Sequence, residues 1–183
     1  MFDDEKIVRQ IQNGDGEKFE EIIKRYQGKL FGYIKNLTNQ NTMEVEDLVE
    51  DTLISAYKNL NGFDTSKKFG SWIYRIAHNK VVDFFKKKRI KSEDLDSKEE
   101  MLNNDDKRLI EELEIEKENR KVVNKAVDSL EMKYKEIILL YYFEEKSYEE
   151  ISDILHISVS NVGVLLYRAK IMLKKILTNW NDK

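Results

Sequence analysis

The sequence predicts an all-α protein made of two small helical domains joined by an acidic, flexible linker. The 183 residues include no proline and only seven glycines. Every long apolar run repeats at helical spacing rather than alternating as a strand would. Near the middle of the chain this periodicity stops and acidic residues take over. The three observations divide the chain into domains at 1–91 and 120–183, with the linker at 92–119.

Composition restricts the class of function. There is no cysteine and there are two histidines, which excludes a disulfide, a thiolate metal site, a cysteine nucleophile and a histidine cluster. The N-terminal segment MFDDEKIVRQ lacks the pattern of a secretion signal, and the longest apolar run, IILLYYF, is too short to span a membrane. No glycine-rich phosphate loop or Ser-His-Asp set is visible. We expect a cytoplasmic protein that is not an enzyme, with no metal, cofactor, small-molecule substrate or membrane insertion.

Charge is distributed unevenly, although the formal net charge is only −3. Residues 61–91 carry 9 basic and 2 acidic side chains, whereas residues 92–118 carry 4 and 12. The first segment is therefore the basic pole of the molecule. The second buries too little apolar surface to offset the entropy of ordering, which is typical of a linker.

Four helices are predicted in the N-terminal domain. Apolar positions at helical spacing mark the first three, and they are Ile7 and Ile11, then Phe19, Ile22, Ile23, Tyr26, Leu30 and Ile34, then Val45, Leu48, Leu53, Ala56 and Leu60. The turn NGFDTSKK follows, in which Asp64, Thr65 and Ser66 supply capping and turn chemistry. The fourth helix then presents an apolar stripe of Ile73, Ala77, Val81 and Phe84.

This fourth helix is chemically unusual on its other side. Its sequence, FGSWIYRIAHNKVVDFFKKKRI, contains five aromatic and six basic residues in 22 positions. Away from the apolar stripe or at its edge lie Trp72, Arg75, Asn79, Asp83 and Lys86. Such a surface suits single-stranded nucleic acid, because bases stack on aromatic rings and phosphates attract lysine and arginine. The alternative is that Trp72, Phe84 and Phe85 are core residues and the basic run only solvates the helix end.

The C-terminal domain ends in a helix-turn-helix pattern. Its first part is traced by Val127, Leu130, Tyr134, Ile137, Ile138 and Tyr141. Ser147 and Glu150 form a capping box, His156 to Ser158 make a tight connection, and Ser158 caps the last helix. In that helix one face is formed by Val162, Leu166, Ala169, Leu173 and Ile176, and the opposite face by Ser160, Val164, Tyr167, Arg168, Ile171 and Lys175.

Two helices joined by about three residues are typical of a major-groove reader. Arg168 is suited to guanine, Ser160 or Asn161 to phosphate or base edges, and Val164 to a thymine methyl group. An ordinary helical hairpin is the alternative, and the apolar Ile171 on the outer face favours it.

The whole sequence resembles the extracytoplasmic-function (ECF) sigma factors of bacterial RNA polymerase. The run EVEDLVEDTLISAYKNLNGFD is similar to the segment that docks on the β′ clamp helices in this family. Without the resemblance, the acidic face of this run is interpreted as a solvated surface, because it lacks the third ligand that a metal site needs. The resemblance implies docking through Asp47, Leu48, Glu50, Asp51 and Leu53, with Glu50 standing where glutamine is usual.

The fourth helix carries the more specific part of the resemblance. It matches the family pattern F-x-x-W-(L/I)-x-x-I-A-x-N-x-x-x-D at Phe69, Trp72, Ile73, Ile76, Ala77, Asn79 and Asp83. In the family this helix and the preceding loop open the −10 region and hold a flipped non-template base. The resemblance therefore implies −10 binding by Phe63, Lys67, Lys68, Trp72, Arg75, Asn79, Asp83, Lys86 and Lys87.

The last helix is similar to the part of the family that reads the −35 element. The usual G-T-V-K-S-R-L-x-R-A appears as S-N-V-G-V-L-L-Y-R-A, so Gly163 and Leu165 replace two basic residues. The resemblance implies −35 contacts, weaker than usual, from Ser160, Asn161, Val164, Tyr167, Arg168 and Lys175. It implies two partners. One is core RNA polymerase, contacted at its β′ clamp helices and its β flap, and the other is promoter DNA. An anti-sigma factor, able to hold the protein at a membrane, is a further candidate partner.

Two rival functions belong to other classes. A conventional helix-turn-helix regulator, with an N-terminal sensing or dimerisation domain, would bind duplex DNA without polymerase. A helical interaction module would scaffold proteins and bind no nucleic acid.

Overall fold

The computed structural model describes residues 4–93 and 122–181. Over these ranges the regular structure is entirely helical, which confirms the predicted all-α class. We refer to 4–93 as the N-terminal lobe and to 122–181 as the C-terminal lobe. The predicted linker begins at residue 92, but the fourth helix continues to Glu93. The rest of the linker lies outside the described residues.

Four helices form the N-terminal lobe: α1, Asp4–Gln12; α2, Phe19–Thr38; α3, Thr42–Asn59; and α4, Phe69–Glu93. Helix α3 packs between α2 and α4, and α1 contacts both α2 and α4. The core is formed by the apolar positions that the periodicity predicts, among them Ile22, Leu30, Ile34, Val45, Ala56, Ile73, Ala77 and Val81. Phe84, the last residue of the predicted α4 stripe, is only partly buried against this core.

Helix boundaries in the N-terminal lobe follow local capping chemistry. Asn39 ends α2 in a left-handed conformation, φ 52°, which asparagine tolerates better than most residues. Two residues later, Asn41 caps α3: its side-chain oxygen accepts a hydrogen bond from the Glu44 amide at 2.9 Å. The Asn41 side-chain amide donates to the Glu44 carboxylate at 2.8 Å. These contacts set the sharp reversal between α2 and α3.

The C-terminal lobe contains α5 (residues 122–128), α6 (Met132–Ile138), α7 (Tyr148–Leu155) and α8 (Val159–Asn181). Helix α6 continues into a π-helical turn, Leu139–Phe143. The core contains the predicted residues Val127, Leu130, Tyr134, Ile137, Ile138, Val162, Leu166 and Ala169, together with Ile151 and Ile154 of α7. Tyr141, which the sequence also assigns to this core, is partly buried.

The helix-turn-helix connection has the predicted chemistry. Ser147 and Glu150 form a reciprocal capping box at the start of α7. His156 closes α7 in a left-handed conformation, φ 53°, and the Ser152 hydroxyl donates to the Ile157 carbonyl at 2.6 Å. The Ser158 hydroxyl then accepts a hydrogen bond from the Asn161 amide at 3.2 Å and caps α8.

The two lobes pack directly against each other. Helix α7 lies along α4, and α6 and the π-helical turn contact α2. The buried apolar residues of both lobes form one continuous cluster. Glu136 of α6 is 4% exposed and accepts a hydrogen bond from the Tyr33 hydroxyl at 2.5 Å. The same carboxylate oxygen lies 2.6 Å from His78 Nδ1. The lobes therefore share a buried polar contact as well as apolar surface.

The capping box yields a stability prediction. Replacing Ser147 by alanine removes the acceptor for the Glu150 amide, which should lower the free energy of unfolding by about 1 kcal/mol. Urea denaturation followed by circular dichroism measures this difference. Ser55→Ala, in the interior of α3, is the matched control and should cause no loss. Equal stabilities of the two variants would contradict the assigned role of the cap.

Candidate nucleic-acid interface

A cavity of about 190 Å³ lies where the loop after α3 meets the start of α4. We call it the α4 cavity. It is lined by Gly62, Phe63, Asp64, Lys67, Lys68, Ser71, Trp72, Arg75 and Asp153. Five of the nine residues implied for −10 binding thus meet at one place. The other four, Asn79, Asp83, Lys86 and Lys87, are exposed further along α4.

Aromatic packing shapes this cavity. The rings of Phe63, Phe69 and Trp72 lie 5.0–5.6 Å from one another between centroids. Phe63 and Phe69 are 6% and 0% exposed, whereas Trp72 is only partly buried. The indole of Trp72 therefore retains accessible surface, and the Phe63 ring acts as a support beneath it. Phe63 is therefore a core residue, whereas Trp72 packs against the core and keeps part of its surface accessible.

Phe84 and Phe85 also occupy an intermediate position. Both pack partly against the core, and their rings lie 5.5 Å apart. Lys88 Nζ lies 5.8 Å from the centroid of the Phe84 ring and 3.9 Å from a Glu44 carboxylate oxygen. The C-terminal part of the basic run is therefore partly used in packing against α3.

Helix α1 positions the loop that forms the cavity, a role that sequence reasoning missed. The Gln12 side-chain amide donates to the carbonyl oxygens of Leu60 at 2.8 Å and Phe63 at 2.9 Å. Arg9 Nε donates to the Thr65 hydroxyl at 3.1 Å, and the Glu5 carboxylate accepts from the Phe69 amide at 2.7 Å. These partners lie 48–64 residues apart in sequence. Only the tertiary packing of α1 across the lobe reveals them.

The residues implied for polymerase docking divide into two groups. Asp47, Glu50 and Asp51 are exposed on α3. Leu48 and Leu53 are 7% and 9% exposed, so they belong to the lobe core and support the acidic face from beneath. Asp51 lies 3.9 Å from Lys80 Nζ on α4.

Beside this acidic face runs an open apolar groove between α2 and α3, which we call the α2–α3 groove. Its volume is about 1050 Å³, and its apolar lining is Phe19, Ile23, Phe31, Val49, Leu53, Ile54 and Tyr57. Ile54 and Tyr57 are 42% and 52% exposed. Glu20, Glu46 and Glu50 stand at its edges. Exposed apolar surface rimmed by charge is typical of a protein-binding site.

The outer face of α8 is exposed as predicted. Ser160, Asn161, Val164, Tyr167, Arg168 and Lys175 all lie on the surface. Val164, Tyr167 and Ile171 are 46%, 67% and 51% exposed, so this face is more apolar than a phosphate-binding helix usually is. A Cβ atom added at Gly163 would meet only the Tyr148 ring, at an ordinary 3.6 Å. Close packing therefore does not require glycine at this position.

A second apolar groove lies at the other end of the C-terminal lobe. It measures about 590 Å³ and is lined by Val123, Val127, Ile138, Tyr142, Phe143, Lys170, Leu173, Lys174, Leu177 and Thr178. Lys170 Nζ lies 5.4 Å from the centroid of the Tyr142 ring, and a hydrogen bond to Tyr142 raises the pKa of Lys170. We call this surface the C-terminal groove.

Ionisable side chains between the lobes are held in defined protonation states. Burial, and next the charge of Glu136, raise the pKa of the Tyr33 hydroxyl. Burial and a hydrogen bond to Glu144 raise the pKa of Tyr74. Both tyrosines therefore remain protonated and donate across the interface. Burial also lowers the pKa of Lys146, whose Nζ lies 4.7 Å from the Tyr74 ring centroid.

The described ranges give no support to a metal site or to a membrane-spanning helix. Within residues 4–93 and 122–181, no group of three or more His, Asp or Glu side chains is placed to hold a metal ion. No helix in that part of the chain is both long and apolar enough to cross a membrane.

Comparison with known proteins identifies the family. Residues 22–90 match the family described as Sigma-70 region 2, and residues 120–173 match Sigma-70, region 4. The ECF RNA polymerase sigma factor SigW of Bacillus subtilis is 30% identical over 181 residues, covering 94% of this chain and 95% of SigW. The chain belongs to the ECF RNA polymerase sigma factors. The ECF sigma-E factor of Escherichia coli K12 is 29% identical over 180 residues, covering 91% and 90% of the two chains.

Solved structures have the same fold as this ECF sigma factor. CnrH, in complex with the cytosolic domain of CnrY, superimposes with a TM-score of 0.72 at 21% identity, over 97% of this chain and 99% of CnrH. The sigma factor RpoE of Bartonella quintana, in complex with the anti-sigma factor NepR, gives 0.75 at 20% identity, over 88% and 98%. The resemblance noted in the sequence is thus confirmed, and the rival regulator is not favoured. Helix α1 lies before the region 2 match, yet it holds the cavity loop.

The contacts of α1 lead to a prediction about this loop. Gln12→Ala removes two hydrogen bonds to the carbonyls of Leu60 and Phe63, each worth about 1 kcal/mol. We expect amide hydrogen exchange in residues 60–68 to become several-fold faster. Gln10→Ala, at an exposed position of the same helix, is the matched control. The same exchange rates in both variants would show that Gln12 does not hold the loop.

Proposed function

We propose that this ECF sigma factor recruits core RNA polymerase to promoters and opens the −10 region by binding the unpaired non-template strand on α4. The observation that carries the proposal is the α4 cavity, because it joins a partly exposed indole to the three cations Lys67, Lys68 and Arg75. A base inserted there would stack on Trp72, a contact worth about 1–3 kcal/mol. Lys67 and Lys68 are exposed at its rim and are suited to the adjoining phosphates.

Beyond the cavity, the exposed row of α4 is suited to the next nucleotides. Asn79 offers both a donor and an acceptor, and Lys86 and Lys87 supply positive charge. Asp83 lies 3.8 Å from Lys86, so its carboxylate is partly neutralised by its own helix. The arrangement separates base reading by Asn79 from phosphate binding by lysine.

The proposed role of the C-terminal lobe is to read the −35 element as duplex DNA. The N-terminal half of α8 presents Ser160, Asn161 and Val164, with Tyr167 and Arg168 one turn further along. A helix so exposed, following a short turn from α7, has the geometry of a recognition helix. Gly163 and Leu165 provide no cation, so Lys175 is the proposed phosphate contact of this face, and Arg168 is left to read a base.

Two surfaces are proposed for polymerase docking. Asp47, Glu50 and Asp51 beside the α2–α3 groove offer acidic and apolar contacts to the β′ clamp helices. The C-terminal groove is suited to an apolar segment such as the β flap. On this proposal the functional domains are 1–91 and 120–183, and the protein acts in the cytoplasm without catalysing a reaction. The structural relatives bound to anti-sigma factors support a regulator of that kind as a further partner.

Permanganate footprinting tests the proposal directly. Core RNA polymerase is incubated with this protein on DNA from upstream of its own gene, and reactive thymines report unpaired bases. We expect reactivity near −10 only when both proteins are present. Trp72→Ala and Asn79→Ala should each reduce it about 10-fold or more, as expected for losing one stacked or hydrogen-bonded base.

Asn36→Ala, an exposed asparagine on α2, is the matched control and should retain full opening. Opening that is unchanged in Trp72→Ala and Asn79→Ala would contradict the assignment of α4. Tight duplex binding by the protein alone, with no opening by the pair, would instead favour a conventional regulator.

The α8 contacts give a separate prediction. Arg168→Ala should weaken binding of polymerase holoenzyme to its own −35 duplex by about 1–3 kcal/mol and relax the preference at one base pair. Lys175→Ala should weaken binding to all sequences alike and reduce the salt slope by about one. Filter binding across a salt series, with single-base variants of the −35 element, distinguishes the two effects. A uniform loss in both variants would show that Arg168 contacts only phosphate.

A further inference from the structure

We propose that helix α1 determines which base the α4 cavity prefers, because it holds the loop that forms one wall of the cavity. Glu5, Arg9 and Gln12 are the positioning residues, and none of them lines the cavity itself. This inference rests on the proposed function, because it assumes that the cavity receives an unpaired base. It adds a specificity role for a helix that lies before the region 2 match, residues 22–90.

The three positioning residues form one polar stripe on α1. They are spaced at i, i+4 and i+7, so they lie on the same side of the helix. The apolar residues Ile7, Val8 and Ile11 lie on a different side and are buried in the core. Packing of α1 onto the lobe therefore uses one face, and contact with the loop uses another.

Gln12 fixes the start of the loop. Its side-chain amide donates to the Leu60 carbonyl at 2.8 Å and to the Phe63 carbonyl at 2.9 Å, so both amide hydrogens are used. The Leu60 carbonyl also accepts from the Phe63 amide at 3.0 Å. These bonds hold the turn Leu60–Gly62 and the residue that follows it. The Phe63 ring, which supports the indole of Trp72, is positioned by the same contacts.

Arg9 and Glu5 fix the middle and the end of the loop. Arg9 Nε donates to the Thr65 hydroxyl at 3.1 Å, and Arg9 Nη2 donates to the Thr65 carbonyl at 3.3 Å. The Glu5 carboxylate accepts from the Phe69 amide at 2.7 Å. It thereby caps α4, whose own first turn contains no acidic residue. One face of α1 thus holds residues 60–69 at both ends and in the middle.

The held segment supplies much of the cavity wall. Its lining residues are Gly62, Phe63, Asp64, Lys67 and Lys68. Discrimination between bases requires donors and acceptors held within about 0.5 Å of their productive positions. Hydrogen bonds weaken steeply when their angle is wrong, so a displaced wall would lose selectivity first. The contacts made by α1 are therefore the ones that keep this wall in register with the base.

Affinity that does not depend on sequence has a different source. Stacking on Trp72 tolerates every base, because every base has an aromatic face. Attraction of phosphate to Lys67 and Lys68 carries no sequence information. Trp72 belongs to α4, and the two lysines reach phosphate through long flexible side chains. Weakening the α1 stripe should therefore reduce base preference while leaving general affinity for single strands nearly unchanged.

Selection from a random pool measures base preference directly. Holoenzyme, formed from core RNA polymerase and the full-length chain, is incubated with short random single strands of DNA, and the bound strands are sequenced. Core polymerase alone gives the background. The preference is the frequency ratio of the most to the least favoured base at the most selective position. We expect Gln12→Ala to lower this ratio at least about five-fold relative to wild type, as expected for one weakened base contact.

Gln10→Ala is the matched control, because it makes the same change at an exposed position of the same helix and should keep the wild-type ratio. Neither variant changes the charge, so nonspecific attraction to DNA is the same in both. General affinity is measured by fluorescence anisotropy on a strand that carries the least favoured base at each selective position. Its dissociation constant should differ by less than about two-fold between the two variants.

Equal base preference in the two variants would overturn the inference. A fall in general affinity as large as the fall in preference would also overturn it, because α1 would then only stabilise the lobe. Failure of the proposed function gives a different result, in which wild-type holoenzyme itself selects no base and opens no promoter in the permanganate experiment. The inference would fall with it in that case.

Arg9→Lys provides a second route to the same outcome. It keeps the positive charge of this exposed side chain but loses the paired donors that hold Thr65. We expect a lower base preference with general affinity retained. If circular dichroism shows that Gln12→Ala fails to fold, Arg9→Lys decides the outcome, and an unchanged preference in this variant would overturn the inference.

Discussion

Burial of one face of α4 is the constraint on which the rest of the structure depends. Ile73, Ala77 and Val81 are fully buried, and they anchor the helix against α2 and α3. Because a helix repeats every 3.6 residues, fixing this face also fixes the direction of Asn79, Asp83 and Lys86 on the other side. The basic pole of the molecule is thereby presented on a rigid element rather than on a loop. Rigid presentation lowers the entropy cost of binding a flexible single strand.

The basic segment at the start of α4 lies against acidic residues of α7. Arg75 and Lys68 point toward α7, whose acidic side chains lie within 3.9 Å. Two cations of the basic segment therefore have anionic partners on α7. Solvated ion pairs of this kind are weak, which allows a polyanion such as DNA to replace them. The distribution of charge over the surface, rather than the net charge, therefore indicates which ligands this chain can attract.

The C-terminal lobe departs from its family in a way that geometry helps to explain. Gly163 is not required by close packing, since an added Cβ would make only an ordinary contact with Tyr148. Val164, Tyr167 and Ile171 make the outer face of α8 partly apolar. An apolar face of this kind is better suited to contact with thymine methyl groups than to phosphate. A preference for base contacts over backbone contacts would lower general affinity while leaving discrimination between promoters intact.

Local sequence determines where the helices lie and which of their faces are buried. Helical periodicity predicts the buried stripes of α2, α3, α4 and α8, and the capping box at Ser147 and Glu150 marks the start of α7 to the residue. The family motif on α4 predicts which side chains face outward. These features depend on neighbours within a few residues, so the linear pattern is sufficient to read them.

Tertiary structure decided the remainder. The sequence does not show that Gln12 holds the loop of Phe63, that Leu48 and Leu53 lie beneath the acidic face of α3, or that Asp153 closes the α4 cavity. Glu136 meets Tyr33 and His78 across separations of 103 and 58 residues. Such contacts depend on how complete helices pack, and a charged residue has the same local pattern whether it faces water or a distant partner. The candidate site could therefore be predicted residue by residue, whereas its contacts with α7 became visible only in three dimensions.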